Sequence, residues 1–208
     1  MTGESRITCG SEGLPPCTPG ETTASLQADK AALRKALTAA RRALDEATKQ
    51  AWDAQICSKL MAWWRHNRVM DIGVYWPLAG EPDLMPAYEH LAAAGVRLAL
   101  PVVLQKNAIL GFAEWLPGEE MVCDRMGVAV PKDLRAVERP GALVIPCLGF
   151  NAHGYRLGYG GGYYDRTLEA EPRPLTLGIA YAHSAADFPD APHDVALDLI
   201  ITEQPSTR

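Results

Sequence analysis

The sequence predicts an α/β protein whose mostly parallel sheet is covered by helices on both faces. Short apolar segments rich in β-branched residues recur along the chain, and helical or polar segments separate most of them. Strands that alternate with helices are typical of a parallel sheet. The chain has 208 residues, of which 48% are hydrophobic and 22% are charged, as in an ordinary globular domain. We expect a disordered tail over residues 1–22 and a single domain over residues 23–208.

A long helix is predicted from about residue 22 to residue 50, because this region lacks Pro and Gly and is rich in Ala, Leu and charged residues. Its apolar stripe consists of Leu26, Leu33, Leu37 and Leu44. Three basic residues flank that stripe: Lys30, Arg34 and Arg41. Such side chains usually extend beside a core with their charges in water, although they can also bind an anion. A second helix is predicted over about residues 52–67.

The predicted strands lie, in chain order, at residues 69–76, 95–103, 108–115, 142–150, 174–182 and 194–202. A helix that Glu81, Pro82 and Asp83 open extends to about residue 94 and connects the first two strands. The segment 117–141 is polar, and another helix is predicted to begin near Tyr163.

Composition argues against several classes of function. The net charge of −5 and the lack of a basic stripe disfavour a nucleic-acid partner. The five cysteines show no CxxC spacing, which argues against a zinc knuckle and a redox motif. No segment has the apolar length of a signal peptide core or a membrane span. We therefore expect a cytoplasmic protein with neither a membrane nor a nucleic-acid partner.

The most informative segment is RLGYGGGYYD, residues 156–165, which lies between a predicted strand and a helix. Its glycines permit positive φ and close approach of a ligand to the backbone, and the helix amino terminus favours an anion. Arg156 offers a fork for phosphate oxygens. Asp165 beside a polyphosphate indicates a bridging divalent cation, although a carboxylate also suits a first helical turn. Together with flat tyrosine rings, the residues favour an ATP-type phosphate site over a simple turn.

The run from Ile145 to Leu168, IPCLGFNAHGYRLGYGGGYYDRTL, resembles the motif of the 5-formyltetrahydrofolate cyclo-ligase family, also called methenyltetrahydrofolate synthetase. Three other segments are similar to family patterns: a KxxxR helix at residues 30–34, VYWPLAGEPDL at 74–84 and HDVALDLIIT at 193–202. The resemblance covers about residues 28–203. It implies a three-layer α/β/α Rossmann-like fold.

The resemblance also implies an activity. Family enzymes use ATP and Mg²⁺ to convert 5-formyltetrahydrofolate to 5,10-methenyltetrahydrofolate and release ADP and phosphate. The formyl oxygen attacks the γ-phosphate, and N10 of the folate then closes the ring as phosphate departs. The expected partners are therefore two small substrates, ATP and a reduced folate, and we expect a monomer.

Matching positions assign residues to these roles. The implied catalytic residues are Tyr163, Arg156 and Lys30. ATP would contact Lys30, Arg34, Arg156, Leu157, Gly158, Tyr159, Gly160, Gly161, Gly162, Tyr163 and Tyr164. The folate would contact Trp76, Glu81, Tyr159, Gly160, Gly161, Gly162 and Tyr163. Mg²⁺ would be held by Asp165 and Asp198.

Two other functions are compatible with the same residues. A related enzyme could keep the nucleotide loop and act on another formylated or amide substrate. A non-catalytic protein could sense ATP or folate, but such a sensor does not need both the phosphate-binding cations and the metal carboxylates.

Overall fold

The computed structural model describes residues 19–78 and 80–205, with side chains from residue 27 onward. The predicted tail lies largely outside these residues. Its last four residues, 19–22, belong instead to the first turn of a helix, because α1 covers Pro19–Arg42.

The further α-helices of the described residues are α2 (Glu46–Asn67), α3 (Met85–Ala93) and α4 (Tyr163–Glu169). The prediction of one helix up to residue 50 is wrong, because α1 ends at Arg42 and α2 begins at Glu46. Asp45 is the N-cap of α2, and its carboxylate accepts a hydrogen bond from the Thr48 amide at 2.9 Å. This bond satisfies one of the free amides at the helix start and fixes the break.

The strands, in chain order, are β1 (Asp71–Gly73), β2 (Arg97–Val102), β3 (Gly111–Glu114), β4 (Met121–Cys123), β5 (Ala129–Pro131), β6 (Ala136–Val137), β7 (Ala142–Pro146), β8 (Gly149–Phe150), β9 (Arg156–Leu157), β10 (Leu175–Ile179) and β11 (Leu199–Ile201). Seven of them form one sheet in the order β11-β10-β7-β1-β2-β3-β6. The five strands from β11 to β2 are parallel; β3 pairs antiparallel with β2, and β6 pairs antiparallel with β3. The predicted mostly parallel sheet is confirmed. The polar segment 117–141 contains β4, β5 and β6, which were not predicted.

Apolar side chains cover both faces of this sheet. Leu98 and Leu100 belong to a buried cluster with Ile56 and other residues of α2 and α3. Ala99 points to the opposite face and belongs to a second cluster with Leu168 of α4. Neighbouring strand residues thus face opposite helical layers, as the pleat of a strand requires. The three-layer α/β/α arrangement follows from this alternation.

Helix α1 packs on the chain that leaves the carboxyl end of β7. Leu37, from its predicted apolar stripe, is buried in a cluster with Leu148, Leu157 and Phe188. Ligands of open α/β sheets bind at this edge of the strands, so α1 lies beside the expected site. Among the described residues, no helix is long and apolar enough to cross a membrane.

Candidate active site

The predicted binding loop is held on a small hairpin. After β7, strands β8 and β9 pair antiparallel, and residues 158–162 connect β9 to α4. The turn of this hairpin is organised by Asn151, whose Oδ1 accepts hydrogen bonds at 3.0 Å from the amides of His153 and Tyr155. These bonds form a local turn that a side-chain amide or carboxylate can support equally. The loop therefore starts from a fixed position at the carboxyl edge of the sheet.

Two loop glycines adopt conformations that other residues rarely reach. The φ angles of Gly160 and Gly162 are +92° and +62°, which lie in the range that favours glycine. A Cβ atom at Gly160 would lie only 3.6 Å from the guanidinium carbon of Arg34. The Arg34 guanidinium therefore lies in van der Waals range of the loop backbone at Gly160.

Two predicted cations of α1 reach this region. Arg34 donates a hydrogen bond from Nε to the carbonyl oxygen of Gly158 at 2.8 Å. Lys30, one turn earlier, donates from Nζ to Oδ2 of Asp194 at 3.0 Å. Asp194 was not predicted as a site residue, although it lies in the HDVALDLIIT segment that the family pattern covers. The one-turn spacing thus places Arg34 against the loop and Lys30 against Asp194 on the same face of α1.

Arg156 and Asp165 form an ion pair across the base of the loop. Arg156 Nη2 lies 2.7 Å from Asp165 Oδ1, and the arginine side chain is only 5% exposed. Its Nη1 is buried without a hydrogen-bond partner among the described residues. A buried guanidinium nitrogen of this kind is costly unless an acceptor completes it. The loop therefore has an unused donor that fits a phosphate oxygen.

The side chains of the leucine and of two further tyrosines in the motif pack against the protein core. The side chain of Leu157 is 2% exposed in the α1 cluster, so only its backbone can face a nucleotide. Tyr163 and Tyr164 pack partly against the second core cluster. Burial raises the pKa of Tyr164, so its phenol stays protonated. The Tyr163 ring lies 5.2 Å from the Arg166 guanidinium.

Tyr159 connects the loop to Glu81 and to Arg41, which the sequence did not assign to the site. Its hydroxyl donates to Glu81 Oε1 at 2.7 Å and accepts from Arg41 Nη2 at 2.6 Å. Burial, together with the nearby charge of Glu81, raises the pKa of Tyr159 to about 12. Glu81 Oε2 accepts from the Leu78 amide at 2.9 Å. Arg41 gave no local signal in the sequence beyond its place beside the apolar stripe.

Trp76 lies just before the turn that carries Glu81. Its ring is partly buried and meets Trp115 edge to face, with a centroid distance of 6.0 Å. Trp115 is 3% exposed and contacts Tyr88 in the same way. Aromatic rings prefer this geometry, so Trp115 fixes the plane of Trp76.

Asp198, the second predicted metal ligand, contacts Thr176 and Arg173. Its Oδ2 accepts hydrogen bonds from the amide and the hydroxyl of Thr176, at 2.8 and 2.6 Å, near the amino end of β10. Arg173 lies 3.5 Å from the other oxygen, and the carboxylate is 47% exposed. The glycine loop follows the carboxyl ends of the same parallel strands. The assignment of Asp198 to Mg²⁺, which the resemblance implies, stays a prediction.

The described residues contain no group of three or more His, Cys, Asp or Glu side chains that could hold a metal ion. Mg²⁺ commonly uses one or two carboxylates together with water and substrate phosphates. Asp165 and a bound polyphosphate fit that donor set, whereas an ion held by protein ligands alone does not fit. The unused Arg156 donor, the Arg34 guanidinium and the bare loop fit the polyphosphate.

Comparison with known proteins gives the family. The model of the 5-formyltetrahydrofolate cyclo-ligase family matches residues 26–203. The 5-formyltetrahydrofolate cyclo-ligases of Escherichia coli K12 and Mycoplasma pneumoniae are each 32% identical; the matches cover 78% and 85% of this chain and 93% and 99% of the relatives.

Two solved structures are similar across most of the chain. The 5,10-methenyltetrahydrofolate synthetase from Mycoplasma pneumoniae has a TM-score of 0.72 at 31% identity, covering 85% of this chain and 99% of that one. The Aquifex aeolicus 5,10-methenyltetrahydrofolate synthetase has a TM-score of 0.73 at 27% identity, covering 85% and 90%. The chain thus belongs to the 5-formyltetrahydrofolate cyclo-ligase family of enzymes.

Proposed function

We propose that this enzyme converts 5-formyltetrahydrofolate and ATP to 5,10-methenyltetrahydrofolate, ADP and phosphate. One observation carries the proposal beyond family membership. The buried Arg156 guanidinium keeps an unpartnered nitrogen, among the described residues, beside a glycine loop that Arg34 also contacts. Such an arrangement suits a polyphosphate, because guanidinium groups and bare backbone amides bind its oxygens.

The proposed reaction begins with phosphoryl transfer. A lone pair of the formyl oxygen attacks the γ-phosphorus of ATP, the bond to the bridging oxygen breaks, and ADP leaves. The formyl carbon is then bonded to a phosphorylated oxygen and is electrophilic. N10 attacks that carbon and loses its proton to solvent, and the carbon–oxygen bond breaks to release phosphate. The product keeps the carbon between N5 and N10 as a methenyl bridge.

The chain contributes positioning and charge to this chemistry. Lys30, Arg34 and Arg156 would neutralise the phosphate oxygens, whose negative charge otherwise repels the formyl oxygen. The first two come from α1 and the third from β9, so they approach the loop from two sides. Tyr163, at the start of α4, would contact the folate at its formyl group. We assign catalysis to Tyr163, Arg156 and Lys30.

Mg²⁺ would be held by Asp165 and phosphate oxygens, directly or through water. When bound, the ion supplies charge that offsets the developing negative charge on the transferred group. Asp165 already pairs with Arg156 at 2.7 Å. A dication at the same carboxylate would loosen this pair and leave the guanidinium free to turn toward phosphate.

The folate would lie on the side of the loop where Trp76 and Glu81 are found. The Trp76 plane suits stacking on the pterin, and the Glu81 carboxylate suits the pterin N–H groups. Both Glu81 oxygens accept hydrogen bonds from the protein, one from Tyr159 and one from the Leu78 amide. A pterin donor would therefore take the place of the Tyr159 hydroxyl.

The test is direct. Purified protein is mixed with 5-formyltetrahydrofolate, ATP and Mg²⁺, and the near-ultraviolet absorbance of the methenyl product is followed together with ADP release. We expect the two products in equal amounts, and neither when ATP or Mg²⁺ is omitted. Tetrahydrofolate without the formyl group is the matched control and should release no ADP. A lack of product with all components present would reject the proposal, and ADP release with another formylated compound would favour a related enzyme of different substrate.

A further inference from the structure

Arg41 is a buried cation at the carboxyl end of α1. It is 5% exposed, whereas the next residue, Arg42, is exposed. One terminal nitrogen donates to the Tyr159 hydroxyl at 2.6 Å. The other two nitrogens, Nε and Nη1, have no hydrogen-bond partner among the described residues. Burying two unmet donors and a charge is unfavourable, so a stability role alone gives no reason to keep them.

The carboxylate nearest to these donors is that of Glu81. Arg41 Nη1 lies 3.8 Å from Glu81 Oε1, and both side chains are almost fully buried. This separation is an ion pair but exceeds a hydrogen bond. The Tyr159 hydroxyl lies between the two groups, since it accepts from the guanidinium and donates to the same Oε1.

Tyr159 is the exposed partner in this arrangement. It belongs to the exposed glycine loop, is 52% exposed and precedes Gly160, whose φ is +92°. Arg41 is held on a helix, and the backbone of Gly80 lies against it, because a Cβ there would be 3.5 Å from Arg41 Cγ and Nε. The guanidinium and the carboxylate are thus buried, whereas the tyrosine between them is half exposed.

We propose that Arg41 is a positioning residue for folate recognition, which acts through Glu81. This inference rests on the proposed function. When a pterin N–H takes the place of the Tyr159 hydroxyl at Glu81 Oε1, Arg41 loses its acceptor, and its guanidinium then pairs directly with the same carboxylate and supplies the compensating charge. The carboxylate then stays ionised and oriented toward the pterin N–H groups. Helix α1 therefore serves both substrates, with Lys30 and Arg34 for ATP and Arg41 for the folate.

The experiment is a double-mutant cycle on the steady-state constants. The variants are Arg41→Gln, Glu81→Gln and the combination of both, with Arg42→Gln as the exposed neighbouring control. We expect Arg41→Gln to raise the folate KM by roughly tenfold or more, in line with the loss of a charged hydrogen bond. The KM for ATP should change by less than about twofold, because the described polar contacts of Arg41 are with Tyr159 and Glu81 and Glu81 is assigned to the folate. Arg42→Gln should change neither constant.

The combination distinguishes positioning from an independent role. If Arg41 acts through Glu81, adding Arg41→Gln to Glu81→Gln should change the folate KM by less than about twofold. The combined variant leaves no buried unpaired charge. Its folate KM can therefore still be compared with that of Glu81→Gln even if Arg41→Gln alone does not fold. Arg41→Lys should restore part of the folate affinity, because the charge returns without the planar fork.

Two results would overturn the inference. One is an Arg41→Gln enzyme with the wild-type folate KM, and the other is an additive effect in the Glu81→Gln background. A wild-type protein that forms no methenyl product would instead reject the proposed function itself. Normal wild-type turnover with an unaffected Arg41→Gln variant would reject this inference alone.

Discussion

Replacing Arg34 with methionine tests whether α1 forms one wall of the ATP site. The change removes the guanidinium that donates to the Gly158 carbonyl at 2.8 Å and would lie 3.6 Å from a Cβ at Gly160. The methionine keeps most of the aliphatic stem. A hydrogen bond to a charged group contributes about 1.5–3 kcal/mol, which corresponds to roughly a 10- to 100-fold change in affinity. Because Arg34 is partly exposed, we expect the lower end of this range at physiological salt.

The measurement is the ATP KM from initial rates at saturating folate, with the melting temperature measured in parallel. Lys35→Met is the matched control, because it removes one positive charge from the next, exposed position of the same helix. We expect about a tenfold rise in the ATP KM for Arg34→Met and less than a twofold rise for Lys35→Met. Equal effects of the two variants would show that ATP binding depends only on the long-range electrostatic field of the helix charges and not on a contact with Arg34. A rise in the folate KM alone would show that Arg34 contacts the folate and not ATP.

Three further predictions concern the metal, the core and a thiol. In a metal titration, Asp165→Asn should raise the Mg²⁺ concentration that gives half the maximal rate by about tenfold. An unchanged titration curve would show that this carboxylate does not bind the metal. Gly178→Ala should lower the melting temperature by about 3–10 °C, because its Cβ would lie 2.5 Å from Ile200 Cδ1 and 2.7 Å from Leu197 Cδ1. Gly141→Ala, where no described atom lies within 4 Å, should melt like the wild type. Burial raises the pKa of Cys147 to about 12, so this thiol stays protonated at pH 8. We expect it to resist a thiol reagent until the protein unfolds, whereas the exposed Cys123 should react at once. Peptide mapping that finds Cys147 labelled in the native protein would contradict this prediction.

The elements that the sequence predicted well are those whose signals are local. The strand β7 and the part of β2 that follows Arg97 are apolar runs with buried residues on both faces, so hydrophobicity alone locates them. The hairpin of β4 and β5 is different, since each strand has only three residues and Val122 and Cys123 of β4 are exposed. Its pairing is local, from Cys123 with Ala129 to Met121 with Pro131, so the sequence lacked a sufficiently long buried apolar run rather than a distant partner.

The site divides in the same way. The glycine loop and its ion pair lie within ten consecutive residues, and Lys30 and Arg34 are one helical turn apart, so their arrangement follows from local geometry. Arg41 lies on the same helix face, but its importance depends on Glu81 and Tyr159, which are 40 and 118 residues away in the chain. Both the burial of Arg41 and its partners are products of tertiary packing. An arginine beside an apolar stripe is otherwise typical of an ordinary surface helix.

The position of Asp198 shows how strand register limits an inference from an apolar run. Residues 194–198 lead into β11, which runs parallel to β10 with Leu199 beside Leu177. Asp198 therefore lies near the start of β10, where Thr176 binds it, while Asp194 pairs with Lys30 of α1. Four residues of extended chain span up to about 14 Å. Two carboxylates so close in sequence can thus have different partners, and the register of β11 on β10 is what brings Asp198, rather than Asp194, to Thr176.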